Sequence, residues 1–159
     1  MSAAPLEDFS LHRVLVAVDG SPTADLAVRA AITAARVDHA AITLIGVAPD
    51  VEHDLSRFAA VAGVAPPRQD EVDEAAGKVL RDVAVRMPDD VPVTTVLRRG
   101  RPGPEIVAEA AAHPYDGIIL GARGLGRVGT LVGSVSSYAL RHAPTTVVVV
   151  HGPPATAAP

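Results

Sequence analysis

Runs of apolar residues with almost no polar interruption constrain this chain most: Val14–Val18, Ala41–Val47, Gly117–Leu120 and Thr145–Val150. A strand wet on one face alternates polar with apolar residues, whereas a continuous run marks a strand covered on both faces, as in a parallel sheet packed between helices. A further strand is expected over Val91–Leu97.

Helical patterns lie between these runs. After Val18, Asp19-Gly20-Ser21-Pro22 turns the chain, with Ser21 placed to cap a helix and Pro22 suited to its first position. That helix is expected to reach about Val37 and to present Ala27, Ala30, Ala31 and Ala34 on one face. Val72, Ala75, Ala76, Val79, Leu80, Val83 and Ala84 recur at three- and four-residue spacing, opposite Asp73, Glu74, Lys78, Arg81 and Asp82. They define an amphipathic helix that stops before Pro88. Pro104 starts a helix ending near His113-Pro114, and Ser134 caps a last helix ending at about His142. Asp50–Pro67 reads as a long loop.

Strands alternating with helices imply an α/β fold, a single doubly wound domain with a parallel sheet, helices on both faces and right-handed crossovers. A chain of 159 residues suits one such domain. Ligands of these sheets bind beyond the carboxyl ends of the strands, where the winding direction switches. Asp19 and Gly121 both stand at such ends, and they face one cleft if the first and fourth strands are neighbours.

After the fourth run comes Gly121-Ala-Arg-Gly124-Leu-Gly126-Arg-Val-Gly129-Thr-Leu-Val-Gly133-Ser134-Val-Ser136. A strand, a glycine-rich loop and a helix N-terminus in this order make a phosphate cradle, because glycine admits an anion close to the backbone and the first helical turn has N–H groups to offer. Charge agrees. From Gly117 onward there is no Asp or Glu, and Arg123, Arg127 and Arg141 give +3, which leaves −7 on residues 1–116. A loop of this kind can also be a plain connection, Asp19 can be a turn residue bonding its own backbone, and Arg123 and Arg127 can simply be solvated.

Other chemistries find less support. A net charge of −4 with one lysine, Lys78, argues against general nucleic-acid binding. No apolar stretch is long enough to span a membrane. Met1–Ser10 is not a signal peptide, and the chain has no cysteine, which together suit a cytoplasmic protein. Gly124-Leu-Gly126-Arg-Val-Gly129 fits a dinucleotide glycine pattern but lacks the acid about 20 residues on. No lysine follows the glycines, so this is not a Walker A loop. The six histidines show no metal-ligand spacing. A triad of Ser134, His142 and Asp19 lacks a nucleophile elbow.

The segments Val16-Ala-Val-Asp19-Gly-Ser21, Gly100-Arg-Pro102, Gly121-Ala-Arg-Gly124 and Gly133-Ser134-Val-Ser136, in this order, resemble the universal stress protein family over about Arg13 to Val150. The resemblance implies a five-stranded parallel sheet in the order 3-2-1-4-5, of the adenine nucleotide alpha-hydrolase-like kind, over residues 11–151. Residues 1–10 would then be an extension and 152–159 a disordered tail. The glycine pattern resembles the ATP-binding branch. Carried over, Ala17, Val47 and Leu120 line an adenine and ribose pocket, and Asp19 sits by ribose or a phosphate-bound Mg²⁺. Gly121 and Gly124 let the backbone pass ribose and phosphates, and Gly133, Ser134, Val135 and Ser136 bind phosphate. Leu125–Val132 spans eight residues where the family pattern usually has nine. The resemblance further implies a homodimer through Thr145–Val150 and a regulatory, stress-linked role. Hydrolysis is expected to be slow or partner-dependent at most. The alternatives are AMP or cAMP binding and a nucleotide-free scaffold.

Overall fold

A computed structural model describes residues 9–54, 63, 65–122 and 133–152. Among them are β1 (Arg13–Ala17), α1 (Pro22–Asp38), β2 (Ala41–Ala48), α2 (Gln69–Ala84), β3 (Val93–Arg99), α3 (Pro102–Ala112), β4 (Gly117–Gly121), α4 (Ser134–His142) and β5 (Thr146–Val150). The sheet has the order β3-β2-β1-β4-β5, and every pairing is parallel. The doubly wound α/β fold and the strand order are those expected.

Alternation along the strands builds two cores. Val14, Val16, Ile42, Leu44 and Ile119 face one way, and meet Ala27, Val28, Ala31 and Ala35 of α1 and Leu80 and Val83 of α2. Leu15, Ile45, Ile118 and Leu120 face the other way, against Ile106 and Ala110 of α3 and Ala139 of α4. The runs of β1, β2 and β4 lack polar positions because both faces are buried, whereas the valines of β5, at the sheet edge, are half-buried. Register pairs Val14 with both Ile42 and Gly117, which makes β1 and β4 neighbours. The chain winds outward from β1 to β3 and then returns to β4 to wind the other way. The switch point therefore lies between β1 and β4.

The details differ from expectation in four places. The buried face of α1 is Ala24, Ala27, Val28, Ala31 and Ala35, while Ala30 and Ala34 are half-buried at its margin. β3 starts two residues late because Val91 closes a turn, donating its N–H to the Pro88 carbonyl (3.2 Å), and it runs on through Arg98 and Arg99. α3 starts at Pro102, and Pro104 lies within its first turn. α4 is capped by Gly133, so Ser134 is its first helical residue and no cap; no side chain caps this helix among the described residues. The expectations for residues 1–8, for the tail beyond Gly152 and for half of the Asp50–Pro67 loop lie outside the described residues.

Candidate functional site

The carboxyl ends of β1, β2 and β4 open into a cavity of about 400 Å³. At the end of β1 the chain turns sharply. Asp19 Oδ1 accepts the Ser21 N–H (3.0 Å), and Gly20 adopts a positive φ of 79° that a β-carbon would strain. Ser21 then caps α1 by accepting the Ala24 N–H at Oγ (3.2 Å), with Pro22 behind it in the first turn. The Asp19 carboxylate thus has the turn role the sequence allowed, and it also lines the cavity.

β4 ends against α1. A β-carbon on Gly121 would lie 2.4 Å from the backbone carbonyl carbon and oxygen of Thr23, so only glycine lets the two backbones approach this closely. The Gly121 carbonyl accepts the hydroxyl of Ser136 (3.3 Å), and the Ala122 N–H goes to the Val150 carbonyl (2.8 Å). α4 thereby starts directly above the end of β4. Gly133, Ser134, Val135 and Ser136 all line the cavity there.

Ala17, Asp19, Val47, Leu120, Gly121, Gly133, Ser134, Val135 and Ser136 surround this one cavity. Gly124, Arg123 and Arg127 lie outside the described residues. Sequence reasoning missed one wall. Val72, Ala75, Ala76 and Val79 of α2 line the cavity, as do Pro49, Ile45 and Ile106. The signal was present in the helix pattern, whose apolar stripe is longer than its two buried residues, Leu80 and Val83, require.

Polar ties hold α2 in place over the cleft. Gln69 Nε2 donates to the Pro49 carbonyl (2.9 Å) and to Asp73 (2.8 Å), while its Oε1 accepts the Val51 N–H (2.9 Å). Arg99, at the end of β3, pairs with Asp73. The Arg99 guanidinium and the Gln69 amide hold the Asp73 carboxyl below the usual carboxylate range. Asp50 and His53 pair at 2.8 Å, which lowers the Asp50 carboxyl and raises the His53 imidazole.

Chemically, the cavity joins aliphatic walls to one carboxylate, a glycine approach and a helix N-terminus. No group of three or more His, Cys, Asp or Glu placed to hold a metal occurs among the described residues, and no helix among them is long and apolar enough to cross a membrane.

The sequence pattern of the universal stress protein family matches residues 10–151, nearly the whole chain. The chain belongs to the universal stress protein family. Among solved structures it is similar to the universal stress protein UspA from Lactobacillus plantarum, with 27% identity, TM-score 0.65, and 90% of this chain and 99% of that one covered. It also resembles a universal stress protein in complex with cAMP, at 23% identity and TM-score 0.65, again covering 90% and 99%. A family member from Arabidopsis thaliana with AMP bound is similar at 19% identity and TM-score 0.62, covering 90% and 93%. Among curated proteins nothing matches. The universal stress protein fold accounts for the strand order and for a cleft placed at the switch point.

Proposed function

We propose that this universal stress protein binds an adenine nucleotide in the cleft beyond β1 and β4, and that occupancy regulates its partner interactions in a stress response. The observation that carries this reading is the cavity: about 400 Å³, aliphatic on most sides and bordered by the first turn of α4. That volume falls in the range of small-molecule sites.

In this reading Ala17, Val47 and Leu120 hold the base and ribose, and Asp19, Gly121 and Gly124 border ribose and phosphate. Gly133, Ser134, Val135 and Ser136 take phosphate at the helix N-terminus, where backbone N–H groups and the helix dipole favour an anion. The Ser136 hydroxyl donates to the Gly121 carbonyl and must leave it before it can donate to phosphate, so its first contribution is its backbone N–H. Mg²⁺ fits only as an ion carried by the phosphates, with the Asp19 carboxylate as a protein ligand. It would supply neutralising charge. Asp19 is the only carboxylate among the described lining residues, and in this reading hydrolysis is slow at most.

The ATP reading rests on the glycine pattern. A monophosphate or cAMP is a second reading, supported by the eight-residue Leu125–Val132 spacing and by the cAMP and AMP named for two similar structures. We further read the protein as cytoplasmic and as a homodimer through β5, a sheet edge whose valines are half-buried.

The test is to denature freshly purified protein, identify any released small molecule by mass spectrometry, and titrate the emptied protein with ATP and Mg²⁺. Asp19→Asn keeps the oxygen that accepts the Ser21 N–H and removes the charge, so it is expected to fold and to weaken Mg²⁺-ATP binding about tenfold. No released nucleotide and no binding up to about millimolar ATP, a binding energy near 4 kcal/mol, would overturn the reading.

A further inference from the structure

The nucleotide cavity continues into a second one of about 560 Å³. The two share Val47, Pro49, Pro102, Ser134 and Val135, so they are compartments of one cleft with the first turn of α4 between them. The second is walled by the segment from Gly100 to Pro104, with Tyr138 and Asp54.

Three arginines stand within four positions of this wall, and only one is left available. Arg98 donates from Nε to Glu105 (3.2 Å) and lies 3.5 Å from Glu109. Arg99 is taken by Asp73. Arg101 lines the compartment, is exposed, and forms no hydrogen bond or ion pair with a described residue. Gly100, beside it, has a φ of 141° that favours glycine, and a β-carbon there would lie 2.9 Å from Glu105 Oε1. Asp54, the acid on the same wall, is itself engaged.

A guanidinium fork matches phosphate oxygens in pairs. We propose that Arg101 sets the phosphate-number preference of the site by gripping the phosphates beyond the first, so that ATP and ADP are favoured over AMP and cAMP. This rests on the adenine-nucleotide reading of the first cavity. With the base among the aliphatic walls and the first phosphate at the start of α4, a longer phosphate chain continues into the second compartment, where Arg101 meets it.

The experiment is calorimetric titration of the full chain with ATP, ADP, AMP and cAMP at one ionic strength, using wild type, Arg101→Ala and Arg101→Lys. The Arg101 side chain caps nothing, so both variants are expected to keep the wild-type circular dichroism and melting temperature. Arg101→Ala should weaken ATP about ten- to a hundredfold while AMP changes by less than about twofold, and Arg101→Lys, a point charge without the fork, should fall between. Loss of ATP and AMP affinity by the same factor, or loss of neither, overturns the role of Arg101 and leaves the nucleotide site standing. A wild type that binds none of the four ligands overturns both.

Discussion

Gly121 and Ser21 show how single atoms shape the cleft. The end of β4 touches the first turn of α1 through a contact that leaves no room for a β-carbon. Gly121→Ala must push these backbones apart, and it is expected to cost about 1–3 kcal/mol, read as a lower urea midpoint. An unchanged midpoint would mean that the two elements do not meet there. The sequence assigned Gly121 to a ligand, because a glycine loop after a strand carries that signal. It could not show Thr23 as the neighbour, since that contact arises only when α1 packs beside β4. The serines separate in the same way. Ser21 caps α1, so Ser21→Ala should cost about 1 kcal/mol. Ser134 caps nothing, and Ser134→Ala should stay within about 0.5 kcal/mol. Equal costs for the two would restore Ser134 as a cap. Both serines precede helical segments, and the sequence does not distinguish a cap from a first-turn residue when glycine stands before it.

At the scale of elements, the buried runs were legible and the edge was less so. β1, β2 and β4 have two covered faces and announce themselves by continuous apolar sequence. β3 is an edge strand that is exposed at Thr94, Thr95, Leu97 and Arg99, and the strand expected from the sequence stops at Leu97, short of its carboxyl end. It is a strand there because Arg98 and Arg99 find acids on α3 and α2, and because the Gly100 N–H continues the ladder to the Ala48 carbonyl (2.9 Å). Such ties make the packing of α1 and α2 sensitive to acid. Arg86, Arg99 and Arg36 hold the carboxyls of Asp25, Asp73 and Asp90 below their ordinary range. A depressed carboxyl contributes stability in full above about pH 4, and the contribution is lost as pH falls through the lower folded value. His53 has the opposite sign. Raised by Asp50, it contributes below about pH 6.5 and ceases to as pH rises through its folded value. All these pairs are exposed, so the melting temperature should decline gradually below about pH 4, and less steeply at high salt. A melting temperature flat down to about pH 2 would show that the pairs do not form in solution.

Over the whole molecule, two cores on opposite faces of one sheet leave a gap where the winding reverses, and the strand order alone places the cleft there. This part of the site was readable before any coordinates, because Asp19 and Gly121 end strands that the fold makes neighbours. A ligand that binds only the folded chain should stabilise it by about 2.7 kcal/mol at a hundred times its dissociation constant. Thermal scans with Mg²⁺-ATP, AMP and cAMP therefore rank the candidates without labels, and a nucleotide that binds by titration but leaves the melting temperature unmoved binds the unfolded chain equally well, which a site built by the fold cannot do. α2 sharpens that experiment. Val72, Ala75, Ala76 and Val79 line the cavity, while Leu80 and Val83 are buried in the core, with Val79 and Ala84 partly buried against it. Among the described residues, the amino-terminal half of this helix thus lines the cavity and does not reach the buried core. An occupant that fills the space would finish its packing from outside the chain, and the slowing of amide hydrogen exchange along those two turns would record its arrival.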